Sequence, residues 1–249
     1  MHKVLRFKDG YSDKFWRVET WREFVLTSWG KTDTNGQWQL TELEDAQSAE
    51  KEAIKQVDSR THSGYREFKD FDPCALVYKD IEDYGPHPLT SHPLFREYFS
   101  DAMYYECANG EAPFGSDEGS DTLWILQENY KPSLDFADFP RRLIEEAWEM
   151  EYLLPDPDIS DSELKRREGE NGIVLMNDQV IIAVTLGQIK ITGESDKALR
   201  ELAFRSLDRW ERLNGLIYNA DKSPYIAKMR ADLNRFEQEE CGKKSKAEN

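Results

Sequence analysis

Phe24-Val25-Leu26-Thr27-Ser28-Trp29-Gly30-Lys31, followed after a short gap by Gly36-Gln37-Trp38-Gln39-Leu40, is the stretch on which the reading of this chain turns. Residues 23–31 alternate in polarity and are rich in Val, Phe, Thr and Trp. That pattern predicts a β-strand with Val25, Thr27, Trp29 and Lys31 on one face, which sets an indole beside an ammonium. Asn35-Gly36 supplies the left-handed positions of a tight turn, so Gln37 to Glu42 is expected to return antiparallel, with Trp38 on the same ribbon. Upstream, residues 2–8 read as an opening strand and Lys14 to Thr20 as a second. Trp16, Val18 and Thr20 then share one face, and Phe15, Arg17 and Glu19 the other. Downstream, Ala49, Ala53, Ile54 and Val57 recur at helical spacing across Gln47 to Ser59, an amphipathic helix that covers one face of the sheet and ends at Thr61-His62-Ser63-Gly64.

The ordered segments Lys14-Phe15-Trp16-Arg17-Val18, Thr27-Ser28-Trp29-Gly30-Lys31, Gly36-x-x-Gln39-Leu40, Ala53-Ile54-Lys55 and Gly64-Tyr65 resemble the WGR domain of poly(ADP-ribose) polymerases and many bacterial proteins. The resemblance spans roughly residues 2–70. It implies a module that binds nucleic-acid ends, with Trp29 packed against the end, Gly30 beside it and Lys31 reaching phosphate. Lys31 stands where the signature has Arg. It keeps the charge and loses the planar fork that grips phosphate bidentately. Arg17 and Lys14 are further candidates for phosphate charge. Trp29 has a second reading, as a ring that simply packs the sheet against the Gln47 to Ser59 helix.

Charge divides the chain. Residues 1–70 carry 12 Lys and Arg against 13 Asp and Glu, whereas the remainder holds a net charge of −15 out of the total −16. The first part tolerates a polyanion locally and the second repels one. No basic patch typical of a DNA-binding domain is evident. Met1-His2-Lys3 opens no charged-then-apolar leader. The longest apolar run, 173–191, is interrupted by Asn177, Asp178, Gln179, Gln188 and Lys190, so neither secretion nor membrane spanning is expected, and a cytoplasmic location is. Cys74, Cys107 and Cys241 lack metal-like spacing and read as structural or bystander thiols.

Residues 73–92, broken by Pro73, Gly85, Pro86 and Pro88, read as a connector, with Asp72 to Glu82 either strand or short helix. His87 and His92 lack a third ligand and read as loop residues. From 93 to 241 the period is mainly helical. Helices are expected from Pro93 to about Ala108, Asp121 to Tyr130, Phe139 to Tyr152, Glu194 to Leu213, and from Pro224 onward with Ser223 as cap. Pro155 to Glu170 reads as a polar insertion with one short turn of helix. Gln179 to Gln188 is apolar nearly all round, so central helix and buried strand both fit. Residues 242–249 read as a flexible tail. The expected fold is α+β: a small antiparallel-sheet domain over 1–72 with a covering helix, then an acidic, mainly helical bundle.

Ala112-Pro113-Phe114-Gly115-Ser116-Asp117-Glu118-Gly119-Ser120-Asp121-Thr122, taken with His92-Pro93-Leu94 and Glu97, resembles bacterial YfeS-like proteins over roughly 91–240, a family that supplies no established activity. Asp117, Glu118 and Asp121 are candidate oxygen ligands for Mg²⁺ or Ca²⁺, although their spacing does not fit a calcium loop. In the alternative reading Ser116, Asp117 or Ser120 caps the next helix while the glycines turn Phe114 into the core. No Gly-x-Ser-x-Gly elbow, phosphate loop, dinucleotide fingerprint or zinc motif is present, so no catalytic residue and no cofactor is assigned. The function expected is a non-enzymatic binding protein that holds nucleic acid through its first domain. Capture of a basic protein by the acidic domain is the alternative, and a metal-dependent enzyme at the acidic motif is a third reading.

Overall fold

Alternating side chains build the strands β1 His2–Lys8, β2 Asp13–Trp21, β3 Phe24–Lys31 and β4 Gln37–Glu42, which the two-residue β5 Arg66–Glu67 completes, in a computed structural model describing residues 1–217 and 222–247, those from 239 on as backbone only. The strands form one antiparallel sheet in the order β4-β3-β2-β1-β5. The β3–β4 turn uses Asp33 (φ 66°) and Gly36 (φ 69°) as its left-handed residues, so Asn35 does not have the backbone role expected of it. Its side chain instead accepts from Val77 N and donates to Val77 O, both at 2.8 Å.

Two layers cover this sheet within the first compact unit, Met1–Pro93. Helix α1, Ala46–His62, starts where Asp45 accepts from Ser48 N at 2.7 Å and ends before the left-handed Gly64. Its Ala49 and Ala53 pack on Leu5, Trp16, Val18 and Val25. The opposite face is covered by residues 71–92, the segment expected to be a connector. Leu89 packs on Leu26 and Leu40, Phe71 lies 5.4 Å from Phe15, and His87 sits between Trp21 and Phe24. Apolar residues scattered through a Pro-rich run carry no period, and so the sequence pattern does not reveal the layer.

The second unit, Leu94–Asn249, is helical. Its helices are α2 Pro93–Tyr98, α3 Asp117–Asn129, α4 Phe139–Arg142, α5 Asp161–Asn171, α6 Ile173–Thr192, α7 Lys197–Ile217 and α8 Pro224–Ala247. Helix α6 is the hub. Its backbone is helical from Ile173 to Thr192, which decides for helix over strand, and nearly every residue from Ile173 to Ile191 is buried. It is also long and apolar enough to cross a bilayer, but 94% of its most apolar window is buried inside the unit.

Several expected helices are shorter or displaced. Helix α2 stops at Tyr98 because Asp101 caps a separate turn by accepting from Met103 N at 3.1 Å. Helix α4 widens over Leu143–Ala147 and ends at the left-handed Glu149 (φ 55°), short of the expected Tyr152. The polar insertion holds a full helix, α5. It starts on the Ser160 cap and is laced by Arg166 to Glu163 and Glu170, and only Leu164 of its side chains is buried. Ser223 caps α8 through Tyr225 N at 3.2 Å. Residues 242–247, expected to be a tail, continue that helix. The Cys241 side chain and residues 248–249 lie outside the described residues.

A buried ion pair fastens α6, α7 and the loop after α4. Arg209 donates through Nε to Asp178 at 3.0 Å and caps the carbonyls of Leu153 and Leu154, each at 3.0 Å. Asn177 accepts from Leu153 N at 2.8 Å. Burial pushes the Asp178 carboxyl up to about 6, although the Arg209 charge and hydrogen bonds pull the other way. A folded-state value above the unfolded one favours folding fully at low pH, and that contribution is lost as pH rises through about 6. The stability of the wild type minus that of Asp178→Asn, from urea unfolding, is therefore expected to fall between pH 4 and pH 7. A flat difference contradicts it. Asp13 and Glu163, whose carboxyls hydrogen bonds from arginines hold below the usual range, act in the opposite direction and cancel in this comparison.

Candidate nucleic-acid interface

Strand register decides which side chains meet. Trp16 on β2 is opposite Trp29 on β3, and Lys14 is opposite Lys31. Cross-strand partners share a face, so these four lie with Leu5 and Phe7 on the side that α1 packs against. Trp16 is 1% exposed and belongs to the core, whereas Trp29 is half-buried at its margin. One step farther from the core, Lys14 and Lys31 are exposed. One part of the Trp29 indole thus packs against the core and another faces solvent.

Lys3, Arg6, Lys8, Arg17 and Lys55 all reach a carboxylate, but among the described residues neither Lys14 nor Lys31 has an ion pair. Arg60, in the last turn of α1, joins them. Its guanidinium lies 5.7 Å from the Trp16 ring centroid and 5.9 Å from that of Tyr65, and Tyr65 in turn packs 5.5 Å from Phe7. Sequence reasoning missed Arg60. The only signal for it was a base ending an amphipathic helix, which helix-dipole effects explain equally well.

Gly30 faces the other way. A Cβ there would sit 2.7 Å from Gly36 Cα and 3.2 Å from Thr34 Oγ1, so the signature glycine lets the β3–β4 turn fold back closely. Its role is to hold Trp29 and Lys31 in register. Arg17 is a correction. It alternates to the face under residues 71–92, is 0% exposed, pairs with Glu19, and lies 5.5 Å from the Trp38 ring and 5.9 Å from that of Tyr78. No phosphate reaches it there. Trp38 shares that face and is likewise set apart from Trp29.

Residues 1–72 match the WGR domain family. Over 243 residues the chain is 32% identical to the uncharacterized protein YfeS of Escherichia coli strain K12, covering 96% of this chain and 100% of that one. The chain belongs to the YfeS family. A crystal structure of a Bacteroides fragilis protein is matched at 21% identity over 51% of this chain and 40% of that one, with a TM-score of 0.27, a likeness too slight to bear on the fold. In this member of the YfeS family the WGR signature runs Trp29-Gly30-Lys31, and its indole and ammonium stand on one face as the alternation required.

The acidic motif of this YfeS-family chain is built as a cap. Ser116 Oγ accepts from Gly119 N at 3.0 Å, Phe114 is fully buried, and a Cβ at Gly115 or Gly119 would lie 2.2 Å from Asn109 O or 2.4 Å from Pro113 O. Asp117, Glu118 and Asp121 line an open groove with Trp148, Met150 and Met176. Among the described residues no group of three or more His, Cys, Asp or Glu is arranged to hold a metal ion. His87 and His92 are buried beneath the sheet, while Cys74 and Cys107 are exposed thiols.

Proposed function

We propose that the WGR domain of this chain holds nucleic acid at an end or nick, with Trp29 stacking on the terminal base or sugar and Lys14, Lys31 and Arg60 lying along the backbone phosphates. The observation that carries this reading is the pair of lysines, without an ion pair among the described residues, facing each other across β2 and β3 beside a half-buried indole. Phosphate contacts supply affinity by releasing counterions, and an aromatic face supplies stacking of about 1–3 kcal/mol per base without reading sequence. A Lys in the signature gives a point charge, so binding is weaker and less directional than through an Arg fork. The helical unit, residues 94–249, carries a net charge of −12, and its field lowers affinity for long polyanions.

Competition among nicked duplex, intact circular duplex and single strand for the full chain tests the reading. Nicked duplex is expected to compete best, and Trp29→Ala to remove that preference. Equal competition by all three, or none by any, contradicts it. Capture of a basic protein by the acidic unit, favoured by the net charge of −12 that residues 94–249 carry, predicts no DNA shift in the same assay.

A further inference from the structure

The helical unit contains a groove of about 560 Å³ that the proposed function does not use. Tyr152, Leu153, Leu154, Pro155, Ile159 and Val174 give it a mainly apolar wall, and its volume is that of a small-molecule site. The wall is tied down at several points. Arg209 holds the Leu153 and Leu154 carbonyls, Asn177 donates to Glu151 O at 3.1 Å, and Arg212 donates to Ile159 O at 2.7 Å. A second, smaller cavity of about 130 Å³ adjoins it and shares Asp156, Pro157, Arg205 and Arg209.

Among the described residues every charged side chain lining this groove has an ion pair except Asp156 and Arg205. Arg167 reaches Glu151 and Glu163, Arg209 reaches Asp178, and in the adjoining cavity Arg212 pairs with Asp161 and Asp208 with Arg230. Asp156 accepts from the Asp158 backbone N at 2.9 Å. Arg205 lines both cavities, is exposed, and among the described residues makes no hydrogen bond or ion pair. All five of its N–H donors are thus available in a fork that matches an oxyanion bidentately.

We propose that this groove binds a small amphipathic anion, whose carboxylate or phosphate is held by Arg205 and whose apolar body lies along Tyr152, Leu153 and Val174. The rigid wall and the single unengaged guanidinium together specify that class, and a neutral ligand of the same shape gains only the apolar contact. The proposal is independent of the nucleic-acid reading, because it concerns residues of the second unit alone.

Octanoate, phenyl phosphate and the neutral 1-hexanol, titrated into the full chain by calorimetry with amide chemical shifts followed in parallel, test it. At least one anion is expected to bind saturably, tighter than hexanol, with shifts centred on residues 151–159 and 205. Arg205→Gln is expected to weaken that anion at least tenfold and leave hexanol unchanged, with Arg205→Lys intermediate. Preference for octanoate assigns the carboxylate class, and preference for phenyl phosphate the phosphate class. Since Arg205 has no partner among the described residues, both variants are expected to melt with the wild type. Binding of the preferred anion unchanged in Arg205→Gln, or saturable binding of neither anion up to millimolar concentration, overturns the proposal.

Discussion

Arg209→Ala is expected to destabilise the helical unit by about 3–5 kcal/mol, the range for removing one partner of a buried ion pair. The size follows from what is left behind. Asp178, fully buried, loses its countercharge, and the carbonyls of Leu153 and Leu154 lose the donors that hold the loop after α4 against α6 and α7. Each buried acceptor left unsatisfied costs about 1–3 kcal/mol. Urea unfolding followed by far-UV circular dichroism checks it, with Arg205→Gln as the control expected to change nothing. Asp178→Asn is expected to cost less than Arg209→Ala, because an amide still accepts from the guanidinium. A cost below about 1 kcal/mol for Arg209→Ala would mean that the network is not formed.

The second large effect separates scaffold from site in the WGR domain. Trp16→Ala is expected to cost about 3–5 kcal/mol, as for large aromatics removed from a core, since Trp16 packs among Leu5, Val18, Val25, Ala49 and Ala53. Trp29→Ala, at the margin of the same cluster, is expected to cost less than half as much while removing most of the affinity for nicked DNA. The measurement pairs hydrogen exchange at the β2 and β3 amides, which reports the sheet's opening free energy, with the DNA titration. If Trp29→Ala destabilises the sheet as strongly as Trp16→Ala and leaves DNA affinity intact, Trp29 is a core residue and nothing more.

The sheet was legible because each strand keeps one alternating period and is bounded by turn residues. Residues 2–8, 14–20 and 37–42 fall where the strands do, and Val25, Thr27 and Trp29 on the face where α1 lies. The same alternation puts Trp29 and Lys31 on one face, a placement that the sequence already implied. Arg17 was misplaced for want of one fact, namely that residues 71–92 cover the opposite face. An irregular layer has no period, and a charge under it is indistinguishable in sequence from a charge facing solvent. Helix α5 was expected only as one short turn for a related reason: a helix stabilised by pairs such as Arg166 with Glu163 and Glu170 carries no apolar stripe. Arg60 depended on where the end of α1 falls relative to Trp16, a tertiary fact that no local spacing encodes.

The most direct test is the salt dependence of binding to a nicked duplex by the full chain, wild type against Lys14→Gln/Lys31→Gln. Each phosphate contact contributes about 0.9 to the slope of log affinity against log salt on B-form DNA, so the double variant is expected to bind more weakly and to lose about 1.8 from the slope magnitude. An unchanged slope and affinity in the double variant, or wild-type binding that does not respond to salt, would show that this pair of lysines does not meet phosphate.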